Sequence, residues 1–507
     1  MDGTSSSATI SSKSSSTSIS STPDFWTWRQ TAKLVLIGCA LSFITNFPSS
    51  FLHTSVNTAV EALDTYVNGS YIDRQVEIDE NQHTMVKALI NNCWFVGQFI
   101  GALFSPRITD KFGRKPAYLL ATAVMTFACF LQMIASIIPY PEILIVGRTM
   151  AAMFSPMSDA VAILFLQEIS PIHLRGALSS LFATGYSAMA LLGLILGTDS
   201  VLGHSLCLLL FVPVIPGLLS LVFLAWLPET PKFLMISKKN AEAAERSLCF
   251  YQGYSPRNEL TLTEYQFESN ESVESTKASM WDLFLVPYLR QAMLLTFMVL
   301  TLCLPFYPIL QCSTTFLRLM QIDDNLSQYF SSLIGVLMIV GCLLAPFLLK
   351  KFKRRSLVLW LGWASTAFIL MFAICGWLAD TLEWAKYGGL IGLLGYIVCW
   401  SVSVGPISYF IGPELVPLQY RSSIFCICYA LNNIFIFVTN FLALALFRHL
   451  GASCFVPLFV LPSTIALIYI HLYLPETKNK ETHVIVAMLK AGRRKIDPKP
   501  ELVVNKL

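Results

Sequence analysis

Runs of about 20 mainly apolar residues recur twelve times along this chain, and no other feature limits its fold as strongly. A helix needs roughly 20 such residues to cross a bilayer, because hydrocarbon offers no partner to a backbone amide and each must be satisfied within its own segment. The runs fall at 33–53, 86–106, 116–138, 142–167, 176–198, 204–227, 288–311, 328–349, 356–379, 384–412, 422–447 and 452–474. Of the 507 residues 55% are hydrophobic and only 13% charged, about half the charge density of soluble domains. The length alone would suggest three or four soluble domains. Apolar runs along nearly the whole chain exclude that reading and predict an all-α polytopic membrane protein of twelve transmembrane helices.

One long polar insert, 228–287, separates the sixth run from the seventh and divides the chain into six-helix halves at 33–227 and 288–475. Residues 1–32 read as a disordered cytoplasmic tail, since 4–22 are almost wholly Ser and Thr and offer nothing to offset the entropy of ordering. They lack the apolar stretch of a signal peptide. Residues 476–507 form a second tail. Basic residues favour cytoplasmic loops; with both termini inside, 29 of the 35 Lys and Arg face the cytoplasm, leaving Arg74, Lys87, Arg148, Arg318, Lys386 and Arg448. One missed span would invert every later loop and destroy that bias. Of the three sequons, Asn68 and Asn325 fall in outer loops and are expected to be glycosylated, whereas Asn270 falls inside and is not.

A net charge of +4 is too small to suggest nucleic acid. The thirteen cysteines lie mostly within apolar runs as inert buried thiols, and Cys426 and Cys428 have no His or acidic companion that would make a metal site. No nucleophile elbow, metal-ligand cluster or phosphate loop appears, so neither an enzyme nor a cofactor is expected.

The halves repeat. Phe112-Gly-Arg-Lys115 matches Phe352-Lys-Arg-Arg355; Glu168 precedes Arg175 by seven residues as Glu414 precedes Arg421; Leu227-Pro-Glu-Thr230 matches Leu474-Pro-Glu-Thr477. Three patterns in one order and at nearly one offset indicate a duplicated unit, an arrangement in which a solute site forms between the copies. Arg114, Lys115, Arg354 and Arg355 stand at cytoplasmic helix ends beside Glu168, Glu229, Glu414 and Glu476. With Arg175 and Arg421 they either form a belt of gate ion pairs or serve only as basic anchors with scattered counter-charges. Exposed pairs contribute about 0–1 kcal/mol each, yet a network that breaks as a unit can bias two states a few kcal/mol apart.

Through these residues the chain resembles the sugar-porter branch of the major facilitator superfamily, in particular the animal facilitative glucose and fructose transporters. The resemblance spans about residues 34–485. It rests on Asp110-Lys-Phe-Gly-Arg-Lys115, Gly147-Arg148, Gln167-Glu-Ile-Ser-Pro171, Leu174-Arg-Gly-Ala-Leu178, Pro228-Glu-Thr-Pro-Lys-Phe-Leu234, Glu414 with Arg421, and Pro475-Glu-Thr-Lys478. It implies alternating access by rocking halves, with the ion-pair belt as inner gate and short amphipathic helices within 228–287. The chain departs from the family pattern in the cavity. The family's sugar-binding glutamine of the fifth span corresponds to Ala183, its seventh-span Gln-Gln-Leu-Ser-Gly signature to Cys303-Leu-Pro-Phe-Tyr307, its eighth-span asparagine to Met338, and its tenth-span tryptophan to Tyr409. A hexose presents hydroxyls that must be paired, because an unpaired buried polar group costs about 1–3 kcal/mol.

Polar groups within spans are the candidates for contact with solute. Asn57 and Asn433 match family cavity positions, or else form interhelical hydrogen bonds. Tyr409 lies between the breaks Gly405-Pro406 and Gly412-Pro413, which either let a gate helix bend or impose a fixed kink. Asp159 sits in mid-span, where a charge costs about 2.5–3.5 kcal/mol. It binds a cationic or hydroxylated solute, carries a coupled proton, or is a neutral hydrogen-bonded acid. Arg148 lies eleven residues earlier on the same face. Proton-coupled sugar porters carry an acid in the first span, where this chain has Ser55-Val-Asn57. The expectation is therefore a plasma-membrane carrier of a hexose-like solute by facilitated diffusion, for which a monomer suffices. The alternatives are a carrier of another organic solute, such as an organic ion coupled to protons through Asp159, and a non-transporting sugar sensor.

Overall fold

The computed structural model describes residues 28–77, 79–254, 257–274, 281–379, 381–417, 420–478, 480 and 482–490; the side chains of Arg175, Asn270 and Tyr409 lie outside the described set, as do residues 1–27 and 491–507 of the expected tails 1–32 and 476–507, whereas 28–32, expected in the disordered tail, begin the first helix. Among the described residues every regular element is helical. Eleven helices are long and apolar enough to span a membrane: Trp28–Thr58, Glu80–Thr109, Arg114–Ala135, Pro141–Ile169, Leu206–Trp226, Pro287–Leu319, Asp324–Lys351, Arg354–Leu378, Ala385–Ser408, Ser423–Cys454 and Val456–Tyr473. The helix Ile172–Leu196, with a shorter apolar part at Leu181–Leu196, takes the fifth place and completes twelve. The twelve lie at the twelve apolar runs, in order. We call the end that carries the basic loops inner.

Large apolar side chains cover the outside of the bundle: Leu36, Phe127, Val222, Phe347 and Trp360 are exposed, as lipid-facing groups are. Within the bundle the spans are irregular. The first turns as a π-helix at Phe47–Phe51, resumes at Leu52–Thr58 and breaks at Ala59 before an outer helix, Val60–Asp73. The seventh is two pieces, Pro287–Thr301 and Phe306–Leu319, parted by a turn that ends in Pro305. The tenth runs through Ala385–Cys399, a π-helix at Trp400–Val404, and Gly405–Leu415. Broken backbone at membrane depth is tolerated only where protein surrounds it, and Ser50, Phe51, Trp400 and Val404 are all buried. A Cβ on Gly405 would come within 2.9 Å of the Trp400 ring, so the first Gly-Pro pair lets that ring fold back on its own helix.

Across the seam between halves, the first span packs on the seventh, the second on the eleventh, and the fifth on the eighth. The polar insert folds as helices Pro231–Ile236, Ala241–Gln252, Arg257–Glu274 and Asp282–Leu285. A terminal helix, Thr482–Lys490, rests against Pro287–Thr301 and Gly405–Leu415.

Candidate functional site

The seam is tied together from mid-depth outward. Asn57 donates from Nδ2 to the Leu310 carbonyl at 3.0 Å and to Ser313 Oγ at 2.8 Å, while its Oδ1 accepts from the Thr314 amide at 3.3 Å. The Ser313 and Thr314 hydroxyls both donate to Ser331 Oγ at 2.8 Å, which closes a ring across the first, seventh and eighth spans. Gln311 donates to the Asn91 carbonyl at 3.2 Å and accepts from Asn440 at 3.0 Å, linking the second, seventh and eleventh. Farther out, Gln328 accepts from the Asp199 amide at 3.3 Å and donates to the Asp199 carboxylate. Arg448 meets Glu80 at 3.3 Å. Each neutral bond contributes about 1 kcal/mol net, and together they tie the two halves in the outer part of the seam.

At the inner end the described ties stay within one half. Arg114 Nε donates to Glu168 at 3.1 Å, and Glu168 also accepts from Thr230 Oγ1 at 2.5 Å. Glu229 accepts from the Lys115 amide at 3.1 Å, and Lys115 Nζ donates to the Ala225 carbonyl at 2.8 Å. The second half repeats this: Arg354 pairs with Glu414, Glu476 accepts from the amides of Arg354 and Arg355 at 3.0 and 3.1 Å, and Arg355 donates to the His471 carbonyl at 2.7 Å. The glutamate of each Pro-Glu-Thr motif thus caps the start of the third or ninth span, where orphan amides and the helix dipole favour an anion. Burial pushes the Glu229 carboxyl above its usual range, against the lowering effect of the Thr230 and Lys115 amides.

Between these two layers lie isolated polar groups. Asp159 stands ten residues from the inner end of the fourth span, about 15 Å at 1.5 Å per residue. It is half-buried and accepts from Ser155 Oγ at 3.3 Å. Asn433, twelve residues into the eleventh span from Arg421, lies about 18 Å deep, and both its amide atoms are buried without a hydrogen-bond partner among the described residues. The same holds for Asn432, and the Trp400 ring stacks on Phe306 with centroids 3.5 Å apart. Arg148 is 1% exposed and donates to the Ile90 carbonyl at 2.8 Å and the Leu52 carbonyl at 3.2 Å. It fastens three helices, and does not share an open passage with Asp159. The described ties thus cross the seam in its outer part and at mid-depth, where Ser187 Oγ lies 3.3 Å from Cys342 Sγ, while those at the inner end join groups of the same half.

Residues 26–489 match the model of the family described as "Sugar (and other) transporter". The chain belongs to that family. It is 26% identical over 484 residues to the facilitated glucose transporter member 5 of solute carrier family 2 from Rattus norvegicus, covering 93% of this chain and 95% of the relative. With member 1 from Gallus gallus it shares 24% identity over 448 residues, 86% of this chain and 89% of the other. An inward-open xylose transporter structure from E. coli superposes with a TM-score of 0.72 at 15% identity, over 92% of this chain and all of that one. A D-xylose–proton symporter structure gives 0.68 at 15%, over 89% and 100%. The fold is that of the major facilitators, twelve spans in two six-helix halves, as the motifs led us to expect.

Of the residues singled out by sequence, the transporter fold brings Arg114 to Glu168 and Arg354 to Glu414. Glu229 and Glu476 instead meet backbone amides. Arg421 opens the eleventh helix. Asn57 is used in the outer ring, whereas Asp159 and Asn433 stay at mid-depth with few protein partners. Pro406 lies in the first turn of the last tenth-span helix and Pro413 inside it, and a Cβ on Gly412 would meet Thr296 at 2.8 Å. Asn68 and Asn325 are exposed on helices at the outer end. Sequence reasoning missed the ring partners Ser313, Thr314 and Ser331, the Gln311 and Gln328 ties, and the Trp400–Phe306 stack. A signal existed: the seventh run ends at 311 because polar residues follow, yet the helix continues to Leu319 with Gln311, Ser313 and Thr314 buried in the seam.

Proposed function

We propose that this chain is a facilitative carrier that moves a hexose or related small polyol down its gradient by alternating access. The observation that carries the reading is the outer ring through Asn57, closed across the seam, in a chain whose described inner ion pairs, Arg114–Glu168 and Arg354–Glu414, each lie within one half. Such an asymmetry suits one end-state of a rocking cycle. In the opposite state the ring parts, and Arg114, Lys115, Glu168, Arg175, Glu229, Arg354, Arg355, Glu414, Arg421 and Glu476 draw together as the inner gate. Asp159 and Asn433 supply acceptors and donors for solute hydroxyls, joined by Tyr409 and, once the ring opens, by Asn57; the breaks at Gly405-Pro406 and Gly412-Pro413 let the tenth span bend. Relatives named as glucose transporters support the sugar class. The basic-residue split supports a multi-pass protein with 1–32, 228–287 and 476–507 in the cytoplasm; the plasma membrane is its proposed site, and the outer sequons at Asn68 and Asn325 its proposed glycosylation sites. Uptake into proteoliposomes from a panel of radiolabelled sugars, polyols and organic ions tests this. Saturable sugar uptake that is indifferent to a proton gradient, in the wild type and in Asp159→Asn, is the expected result. Uptake of organic cations alone, lost in Asp159→Asn, would replace the reading.

A further inference from the structure

The inner end of the seventh span holds a second feature that the seam does not use. A cavity of about 420 Å³ opens between Pro287, Tyr288 and Gln291, where that span begins, and Leu489 and Lys490, where the terminal helix ends. The terminal helix buries Ile485, Val486 and Leu489, and of these Leu489, with Pro287 and the Tyr288 ring, gives the groove an apolar side beside the Lys490 ammonium. Lys490 is exposed, and its Nζ sits 4.9 Å from the centroid of the Tyr288 ring, an attraction that orients the cation. No acidic residue lines the cavity, and the nearby Asp282 carboxylate accepts from the Tyr420 hydroxyl at 3.0 Å.

Two further observations say what kind of molecule fits. Trp281 and Leu285, just before the span, are 73% and 75% exposed. Large apolar groups displayed where a helix enters the bilayer belong at the boundary of headgroups and acyl chains. In the sequence Lys490 is followed by Arg493, Arg494, Lys495 and Lys499, and a basic cluster beside a membrane span attracts anionic lipid. We propose that this groove seats the headgroup of an anionic phospholipid, with Lys490 facing its phosphate and the acyl chains lying over Trp281 and Leu285. A free anion would use the cation and leave the apolar rim uncovered.

The test measures binding, so it is independent of what the carrier transports. Purified full-length chain in neutral detergent is titrated with phosphatidylserine or phosphatidylcholine, and lipid retention is read by native mass spectrometry with the shift in melting temperature. Phosphatidylserine should bind more tightly, less so at high salt. Lys490→Gln should weaken it about fivefold, the effect of one basic residue near an anionic surface, and Lys490→Arg should restore it. Equal binding of the two lipids, wild-type affinity in Lys490→Gln, or the same stabilisation by inorganic phosphate alone would each overturn the proposal. So would loss of binding confined to a chain with Arg493, Arg494 and Lys495 all changed to Gln, since the affinity would then reside in the tail.

Discussion

The inner clusters of the two halves are built from one duplicated template, yet they are finished differently. In the first half Glu168 uses both oxygens, on Arg114 and on Thr230. The equivalent atoms in the second half, Glu414 Oε2 and Thr477 Oγ1, are buried without a hydrogen-bond partner among the described residues. The charges are also better shielded in the first half, where the side chains of Arg114 and Glu168 are 16% and 8% exposed against 27% and 28% for Arg354 and Glu414. The polar insert explains part of the contrast. Its helix Ala241–Gln252 braces the first cluster: Ser247 donates to the Glu229 carbonyl at 2.5 Å, Tyr251 to the Pro228 carbonyl at 2.7 Å, and Gln252 to the Ile169 carbonyl at 3.1 Å. A repeated motif therefore sets which residues meet, while the neighbouring chain decides how rigidly they are held. The second cluster is left with hydrogen-bonding capacity that its described neighbours do not use.

The largest effect that would sharpen this contrast comes from the glutamates. Glu168→Gln weakens two charge-assisted bonds at once, those from Arg114 and Thr230, each contributing about 1.5–3 kcal/mol, and should destabilise by about 3–5 kcal/mol. Glu414→Gln, in the wetter cluster, should cost about 1–2 kcal/mol, since a hydrogen bond to a charged group contributes about 1.5–3 kcal/mol when dry. Melting of the two purified variants in one detergent compares them, and equal losses would break the distinction. The threonines come next. Thr230→Val removes a charge-assisted bond and should destabilise by about 1.5–3 kcal/mol, whereas Thr477→Val removes an unpaired buried hydroxyl and should be neutral or slightly stabilising; paired denaturation curves read the difference. Removing the brace with Tyr251→Phe should cost about 1 kcal/mol and speed proteolysis of the insert without altering the second cluster. The smallest effect is in pH. An acid whose carboxyl is raised in the folded state loses stability as pH climbs through the interval above its ordinary value of 4.5. The melting temperature should therefore decline over that interval, and Glu229→Gln should flatten the slope.

Much of this molecule can be read before it folds. Twelve apolar runs predict twelve spans, because the cost of unsatisfied amides in lipid leaves no alternative. Pairing within the inner clusters is legible as well, since Glu168 and Arg114 recur as Glu414 and Arg354 at nearly one offset. The cap made by Glu229 is not legible: its partner, the Lys115 amide, is 114 residues away and is a backbone group that leaves no mark in side-chain pattern. Nor is the outer ring. Asn57, Ser313 and Ser331 are ordinary polar residues at the ends of three apolar runs, and only the crossing of three helices brings them within 2.8 Å of one another in sequence round the ring. Spacing alone reads Arg148 as a charge on the face of Asp159; its place on two carbonyls instead depends on how the first and second spans approach it.

By itself the sequence determined the solvent of this protein, the number and order of its helices, the duplication and the family, because hydropathy acts residue by residue and its cost accumulates along each segment. Tertiary structure alone decided which polar groups tie the two halves together and which stay at mid-depth with few described partners. Those outcomes depend on donors and acceptors from distant segments meeting within about 3 Å, a condition that helix packing sets and local composition does not encode.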